Sequence, residues 1–322
     1  MTRCAFRDIK GMDHACSTKE IDAVQARVAI VTRTKNRPAL LPRALASVGG
    51  QTYRDLLWVI VNDGGQRAPV EEIAAQARSA GVPTLVVHNE FSLGMEAASN
   101  AGIAESHSEF LIIHDDDDTW SPAFLEKTVS FLDGNPGYGG VITHTTRIDE
   151  KIVEDRFGTT VKEVGRTSYN SWLLSVHLSE MAEMNPFPPI AFLYRRSVLE
   201  AIGPYDISLA VLGDWEFNLR FLAKYDIGVI PEPLANYHWR PSVGGAYGNS
   251  VGAGIDKHVQ WDAIVRNRLL RKDLEAGTVG LGHLVAAGRR QVSLNRMLYP
   301  LSVARGAAKR LVLGLRRVAG AA

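Results

Sequence analysis

Four short apolar runs, each followed by a segment with helical spacing, lie within residues 28–132 and constrain the fold more than any other feature. The runs comprise residues 28–32, 56–61, 84–87 and 110–113. Their β-branched, continuously apolar composition is typical of strands that are buried on both faces. Strands that alternate with helices form right-handed βαβ units around a parallel sheet. We therefore expect an α/β fold with a mostly parallel, Rossmann-like sheet flanked by helices.

Polar side chains stand where three of the predicted strands end. Thr34, Asp63 and Asp115 each lie two residues beyond the end of an apolar run. Ligands of open α/β sheets bind beyond the carboxyl ends of the strands. One ligand can therefore contact all three side chains, and we expect the functional site at this edge of the sheet.

Residues 115–118 are four consecutive aspartates that come shortly after the fourth apolar run. Adjacent carboxylates repel one another, and burying them without a partner is costly. A divalent cation resolves this conflict, because Mg²⁺ prefers oxygen ligands and is usually shared with substrate phosphates. Side chains alternate in an extended segment, so Asp115 and Asp117 are predicted to point together toward the ligand. In the alternative interpretation, Asp117 and Asp118 cap the helix that follows.

Two classes of enzyme place such an acidic run after a strand. The Asp-x-Asp-x-Thr pattern of phosphohydrolases fits Asp115, Asp117 and Thr119. The Asp-x-Asp site of sugar-nucleotide transferases fits the same carboxylates. The phosphohydrolase pattern normally ends the first strand of its domain, whereas three strand–helix units precede it here. That order favours the transferase, with a metal-dependent phosphohydrolase as the alternative.

Composition limits the partners and the compartment. A formal net charge of +1 gives no overall attraction to nucleic acid, so phosphate binding needs a local site. Cys4 and Cys16 are the two cysteines, and we expect them to be free thiols. The sequence shows neither a signal-peptide core nor an apolar run of the ~18–20 residues that span a bilayer. We therefore expect a cytoplasmic protein that binds no nucleic acid.

The last part of the sequence is basic. Residues 286–322 carry eight Lys and Arg side chains and no Asp or Glu. Such a stretch, interspersed with apolar residues, suits the surface of an anionic membrane and would bring the protein to its cytoplasmic face. A solvated helix or a partner-binding helix fits the same pattern.

Seven segments spread over residues 31–216 form an ordered set. They are VTRTKNR (31–37), LASV with QTY (45–53), NDGG (62–65), the stretch 89–102 ending in AASNAG, DDDDTWSP (115–122), RR with GPYD (195–206) and DWE (214–216). In this order they resemble the motifs of inverting, family 2 glycosyltransferases of the GT-A fold. One match alone would be weak, but seven in order are specific. The resemblance covers roughly residues 27–245.

The resemblance implies roles for individual residues. The family's nucleotide-binding residues correspond to Thr34, Asn36, Arg37, Asp63, Asp115 and Asp116. Asp115 and Asp117 would bind Mn²⁺ or Mg²⁺, and Asp214 would be the general base. The donor would be a nucleoside-diphosphate sugar, with UDP or dTDP favoured over GDP. The acceptor would be a saccharide or a lipid-linked saccharide in polysaccharide or glycoconjugate biosynthesis.

The same resemblance divides the chain into three parts. Residues 1–26 would be a tail or cap, residues 27–255 the GT-A domain, and residues 256–322 a basic helical extension. Within the GT-A domain, residues 27–132 would form the nucleotide-binding half and residues 133–255 the acceptor half.

Several positions depart from the family's pattern. Asn62 stands where an aspartate is usual, Ser99 where an arginine is usual, and Gly213 where a glutamate usually precedes the base. The basic side chains around His238 are transposed, so a metal-binding role is undecided for His238, as it is for His258. These departures keep open a second alternative, a protein that binds sugar nucleotides without turning them over.

Overall fold

The structure is a computed structural model that describes residues 26–156, 158–240, 243–249 and 255–291. Its strands are β1 (Val28–Thr34), β2 (Leu56–Asp63), β3 (Thr84–Asn89), β4 (Phe110–Asp115), β5 (Thr119–Trp120), β6 (Tyr138–Asp155), β7 (Gly158–Ser168), β8 (Phe192–Arg195) and β9 (Asp226–Trp239). These strands form one sheet in the order β3-β2-β1-β4-β8-β6-β9-β5, and β7 pairs with β6.

Helices cover both faces of this sheet. They are α1 (Leu41–Gly49), α2 (Arg67–Ser79), α3 (Met95–Ala104), α4 (Phe124–Gly134), α5 (Leu178–Glu183), α6 (Ser197–Ile202), α7 (Gly213–Leu222), α8 (Ile255–Ala276) and the helical residues 281–291, called α9. Short 3₁₀ helices comprise Pro189–Ala191 and Gly245–Tyr247.

β1 lies between β2 and β4 in the parallel part of the sheet, with β3 beyond β2. Alternate side chains of β1 belong to two different hydrophobic cores. Ala29 and Val31 share a core with α3 and α7, whereas Val28 and Ile30 share one with α1, α2 and α4. Both faces of the strand are covered, so each of these positions is apolar. The predicted βαβ order and the predicted burial are confirmed.

The sheet becomes mixed after β4. β8 runs antiparallel to both β4 and β6, and β9 runs parallel to β6 and antiparallel to β5. β6 is 18 residues long and pairs with β8 near its start and with β7 toward its end. The parallel arrangement therefore extends over the first four strands of the order, where helices connect one strand to the next.

The register of the parallel strands brings their carboxyl ends to one edge of the sheet. Thr34 is opposite Asn62 on β2, and Arg33 is opposite Asp115 on β4. The three strand ends that carry predicted site residues are therefore neighbours.

Helix α3 approaches β1 and β2 closely because Gly102 has no side chain. A Cβ at Gly102 would lie 2.8 Å from Cγ2 of Val61 and would overlap the side chain of Val31. This close approach brings the start of α3 to the same edge as the strand ends.

Helices α8 and α9 pack beside α5 and α7. Val265 and Val285 belong to the same hydrophobic core as α7. The guanidinium of Arg266 lies 4.6 Å from the centroid of the Trp215 ring and donates a hydrogen bond to the carbonyl oxygen of Ala182 (2.8 Å). The described residues after 255 thus share a core with the preceding part of the chain.

Two predicted segments lie largely outside the described residues. They are the N-terminal tail, of which residues 1–25 are not described, and the basic segment, of which residues 292–322 are not described. The predicted membrane contact and the proposed division of the chain into three parts stay predictions. Among the helices that the structure describes, none is both long and apolar enough to span a membrane.

Candidate active site

Two adjoining cavities lie at the carboxyl ends of β1, β2 and β4. The first has a volume of about 490 Å³ and the second a volume of about 270 Å³. Arg33, Met95 and Asp115 line both cavities and form the boundary between them. Asp214 lines the second cavity. The first cavity is lined by the six predicted nucleotide-binding residues Thr34, Asn36, Arg37, Asp63, Asp115 and Asp116.

Asp63 organises the loop that follows β3. Its Oδ1 accepts hydrogen bonds from Asn89 Nδ2 (2.8 Å) and the Leu93 N–H (2.8 Å). Its Oδ2 accepts from Ser92 Oγ (2.7 Å) and the Gly94 N–H (3.1 Å). Burial alone would raise the pKa of Asp63, but these hydrogen bonds hold it below its ordinary value. Asp63 thus fixes one wall of the cavity, and its predicted role in nucleotide binding stays a prediction.

β1 leads into a turn that carries Asn36 and Arg37 over the first cavity. Asn36 has a φ of 53°, and its Oδ1 accepts the Gln66 N–H at 2.9 Å. Arg37 Nη1 donates to Asp116 Oδ1 at 2.9 Å, and Nη2 donates to the carbonyl oxygen of Gly248 at 2.8 Å. Arg37 therefore ties the aspartate run to the 243–249 segment.

Asp115 and Asp116 face the first cavity, each beside an arginine. Arg33 Nε lies 3.0 Å from Asp115 Oδ1, and Arg37 pairs with Asp116. Burial raises the pKa of Asp116 to about 6. The Arg37 guanidinium lowers this pKa, whereas the Asp117 carboxylate raises it further. The two carboxylates thus differ in environment although they are adjacent.

Asp117 and Asp118 turn away from the first cavity. Asp117 is 5% exposed and pairs with the fully buried Arg240 and with Arg37, whose Nη1 is 3.5 Å from its Oδ2. Asp118 Oδ1 accepts the backbone N–H of His238 at 2.8 Å. These two side chains connect the aspartate run to β9.

The structure contradicts both interpretations of the aspartate run, the alternation of its side chains and the capping of the next helix. β4 ends at Asp115 and the chain turns at the next two residues, so side-chain alternation stops there. The prediction that Asp115 and Asp117 point together is therefore wrong. The helix-capping alternative is also wrong, because the N-cap of α4 is Ala123 and Asp118 bonds to β9 instead. The metal-binding role of Asp117 stays a prediction.

Glu150 is the centre of a buried ionic cluster behind the run. It accepts hydrogen bonds from Arg43 Nη2 (2.8 Å), Arg240 Nη1 (2.7 Å) and His238 Nδ1 (2.8 Å). Burial alone would raise the pKa of Glu150, but His238 and Arg43 lower it to about 2. The other ring nitrogen of His238 lies 3.0 Å from Thr119 Oγ1. Both imidazole nitrogens are therefore engaged by protein groups, which argues against His238 as a metal ligand.

Asp214 is a carboxylate in the first turn of α7, at the wall of the second cavity. Its Oδ2 accepts a hydrogen bond from Asn185 Nδ2 (2.8 Å), and Asn185 Oδ1 in turn accepts from Asn218 Nδ2 (3.1 Å). Burial raises the pKa of Asp214, and the nearby guanidinium of Arg33 limits the rise. A carboxylate that is oriented by a hydrogen bond, has a raised pKa and lies beside a cavity is suited to act as a general base.

Two aromatic side chains of the second cavity have different environments. Trp215 and Tyr237 both line the second cavity. Trp215 is only 2% exposed and its indole N–H donates to the carbonyl oxygen of Met181 at 2.7 Å, so it is part of the core. Tyr237 is partly exposed and is the aromatic side chain better placed for stacking on a sugar ring.

Several residues at the site carry no signal in the sequence. Glu96 lies in the small-residue helix α3, and Asn185 lies in a segment without a motif. Glu150 and Arg240 meet only because β6 and β9 are paired. Glu96, Glu150 and Arg240 stand out in the structure because they are charged and buried. Burial at single positions cannot be derived from this sequence alone.

The residues that face the first cavity fit a divalent cation. Thr34 Oγ1 and Asp116 Oδ2 are buried atoms that interact with each other and that no other group satisfies in the described part of the chain. Asp115 supplies a partly exposed carboxylate beside them. The described residues contain no group of three or more His, Cys, Asp or Glu arranged to hold a metal ion. A cation here would therefore share its ligands with substrate phosphates and water, as Mg²⁺ commonly does.

Comparison with known families identifies one match over much of the chain. A family model described as glycosyl transferase family 2 matches residues 29–203. An uncharacterized glycosyltransferase of Bacillus subtilis, YwdF, is 27% identical over 208 residues, which are 64% of this chain and 71% of the relative. A PGL/p-HBAD biosynthesis glycosyltransferase of Mycobacterium bovis is 28% identical over 196 residues, covering 59% of this chain and 68% of the relative.

Solved structures share the fold at low sequence identity. Staphylococcus aureus TarS in complex with UDP-GlcNAc has a TM-score of 0.61 and 16% identity, covering 85% of this chain and 73% of that one. The mannosyltransferase PcManGT from Pyrobaculum calidifontis, in complex with GDP-Man and Mn²⁺, has a TM-score of 0.53 and 16% identity, covering 89% and 81%. The predicted GT-A fold is confirmed by these likenesses.

Proposed function

This chain belongs to glycosyl transferase family 2 and is a glycosyltransferase, and from that premise we propose that it transfers a sugar with inversion from a nucleoside diphosphate to an acceptor hydroxyl. Membership of this family decides against the phosphohydrolase. The observation that carries the proposal is the pair of cavities that meet at Arg33 and Asp115, with Asp214 in the second.

The first cavity would hold the nucleoside diphosphate. Its volume of about 490 Å³ lies in the range of small-molecule sites. Arg37 and Asn36 would lie near the base or the diphosphate, and Thr34 and Asp63 near the base. The TarS and PcManGT complexes contain UDP-GlcNAc and GDP-Man, which supports a sugar nucleotide in this cavity. We propose UDP or dTDP rather than GDP as the nucleotide.

Mn²⁺ or Mg²⁺ would be held at the aspartate run. Asp115 and Asp116 line the first cavity, whereas Asp117 is not part of its lining and pairs with the fully buried Arg240. We therefore propose direct coordination by Asp115, with Asp116 as second ligand in place of Asp117. When bound, the cation neutralises charge that develops on the departing diphosphate.

Asp214 would act as the general base in the second cavity. Its carboxylate would take the proton of the acceptor hydroxyl while the hydroxyl oxygen forms a bond to the anomeric carbon and the bond to the diphosphate oxygen breaks. The hydrogen bond from Asn185 engages Oδ2 and orients the group. One direct displacement of this kind inverts the configuration at the anomeric carbon.

The acceptor would be a saccharide or a lipid-linked saccharide. A third cavity of about 380 Å³ adjoins the second and shares Asn185, Leu212, Trp215 and His258 with it. Met184 and Val259, which are largely exposed, add apolar surface there. The Mycobacterium relative is named for PGL/p-HBAD biosynthesis, which supports a role in the biosynthesis of a glycoconjugate.

Nucleotide release from a panel of UDP-, dTDP- and GDP-sugars tests this function. We expect release from at least one UDP- or dTDP-sugar in the presence of Mn²⁺, and loss of that activity with EDTA. Activity that EDTA leaves unchanged would contradict the metal. Binding of UDP by calorimetry without turnover of any donor would favour a protein that only binds sugar nucleotides.

A further inference from the structure

Glu96 is a buried carboxylate that the proposed mechanism does not use. It lies in the first turn of α3, is 5% exposed and lines the second cavity together with Asp214. Burial raises the pKa of Glu96, whereas Arg33 and the backbone N–H groups of Glu96 and Gly213 favour its ionised form. A buried acidic group beside a candidate base requires an explanation.

The side chain of Glu96 fills the space next to Gly213. A Cβ at Gly213 would lie 2.6 Å from Cδ of Glu96 and would overlap its Cγ and Oε1. Position 213 is also where the resemblance to the family predicts a glutamate, directly before Asp214. A carboxylate therefore does stand beside Asp214 in this protein, but α3 provides it instead of α7.

A similar replacement concerns a positive charge, and it involves Arg33 and Ser99. Ser99 stands where the resemblance predicts an arginine. Arg33 Nη1 lies 3.3 Å from Ser99 Oγ and 3.4 Å from the carbonyl oxygen of Met95. A guanidinium therefore does lie beside position 99, but β1 provides it instead of α3.

The two exchanged side chains interact with each other at the boundary of the cavities. Burial alone would lower the pKa of Arg33, but the charges of Asp115 and Glu96 raise it, and the charge of Arg33 in turn favours the ionised forms of Glu96 and Asp214. Arg33 also pairs with Asp115. Loss of Glu96 would thus remove both a group that contacts the start of α7 and a counter-charge of Arg33.

We propose that Glu96 and Arg33 replace the glutamate and the arginine that positions 213 and 99 lack, and that Glu96 is a positioning residue for Asp214. Glu96 holds the first turn of α7 so that the Asp214 carboxylate faces the acceptor hydroxyl. This inference rests on the proposed function of Asp214 as the base.

Moving the carboxylate from position 96 to position 213 tests whether Glu96 replaces the missing glutamate. Glu96→Ala should lower kcat about 10- to 100-fold with a donor KM within about twofold of wild type, since small misplacements of a catalytic group are costly. Gly213→Glu alone should be at least as impaired, because Glu96 occupies the space. The double variant Glu96→Ala/Gly213→Glu should recover at least about fivefold in kcat over either single variant. Glu105→Ala, at the exposed end of α3, serves as the matched control.

A change of charge at constant size tests whether the carboxylate charge of Glu96 acts on Asp214. Glu96→Gln removes a negative charge near Asp214, so the acidic limb of the kcat profile should move to lower pH. A side chain that only fills space would leave that limb where it is. This variant also keeps the inference testable if Glu96→Ala does not fold.

The outcomes distinguish this inference from the proposed function. A wild type that releases nucleotide, together with Glu96→Ala and Glu96→Gln variants of unchanged kcat, would overturn the role of Glu96 alone. A folded double variant with no recovery would overturn the exchange. A wild type that releases no nucleotide from any donor would overturn the proposed function. The Tm values of wild type, Glu96→Ala, Gly213→Glu and the double variant would then still test whether Glu96 occupies the place of a residue 213 side chain.

Discussion

Arg33 lies where the two cavities meet and faces carboxylates from three elements of the fold. It pairs with Asp115 at the end of β4 and favours the ionised forms of Glu96 on α3 and Asp214 on α7. The sequence indicated Arg33 only as part of the segment VTRTKNR (31–37). In the structure, its guanidinium connects the side of the site that would hold the donor with the side that would carry out the chemistry.

The raised pKa of Asp214 predicts how activity depends on pH. Asp214 can accept a proton only when it is ionised, and burial raises its pKa. At saturating donor, kcat should therefore begin to fall at a pH above the value of about 4 at which an exposed aspartate titrates. A profile of nucleotide release from about pH 4 to about pH 9 measures this limb. A kcat that stays constant down to about pH 4 would contradict the raised pKa.

At the scale of residues, the sequence predicted the location of the site better than its orientation. Thr34, Asp63 and Asp115 meet at one edge because parallel strands end together. Which aspartates face the cavity depends on where β4 ends, and that in turn depends on its pairing with β1. The role of Glu96 depends on empty space at Gly213, which a pattern of residue types does not reveal.

The end of β9 and the segment 243–249 are held together at the mouth of the first cavity. Asn249 Oδ1 accepts the Arg240 N–H at 2.6 Å, and Asn249 Nδ2 donates to the carbonyl oxygen of His238 at 2.8 Å. The side chain of Arg240 forms ion pairs with Asp117 and Glu150. The position of this segment therefore depends on a buried ionic cluster, which the sequence could not predict because β6 and β9 are distant in the chain.

Removal of Arg240 should destabilise the fold strongly. Arg240→Ala removes the buried counter-charge that Asp117 and Glu150 share, and we expect a loss of about 3–5 kcal/mol in the free energy of unfolding. Urea unfolding measures this loss. Arg67→Ala, an exposed arginine at the start of α2, should change the same free energy by no more than about 0.5 kcal/mol. Equal effects of the two substitutions would contradict the role of the cluster.

Glu150 should make the stability of the fold sensitive to acid. Its pKa in the folded protein is about 2, below the ordinary value of 4.5. A lowered pKa stabilises the fold above about pH 4.5, and that contribution, on the order of 3 kcal/mol, is lost as the pH falls toward 2. The difference in unfolding free energy between wild type and Glu150→Gln should therefore shrink between about pH 6 and about pH 3. A difference that does not change with pH would contradict this assignment.

At the scale of the whole molecule, the fold separates donor binding from chemistry. The first cavity is built mainly on the parallel strands and their loops, and the second on α7 and the segments around it, with β1 and β4 at the boundary. The parallel part was predictable because its strands are continuously apolar. In the second part the resemblance indicated Asp214, but the mixed strand pairing and the contribution of Asn185 could not be predicted, since Asn185 lies in a segment without a motif.

The most direct test of this account compares turnover and donor binding in Asp214→Asn. We predict that kcat falls about 10²- to 10⁴-fold, the usual contribution of a general base, while the calorimetric Kd for UDP stays within about twofold of wild type. Glu216→Gln, an acidic residue in the same turn of α7 that pairs with Arg220, should keep its activity. A folded Asp214→Asn variant with the kcat of the wild type would contradict the assignment of Asp214 as the base.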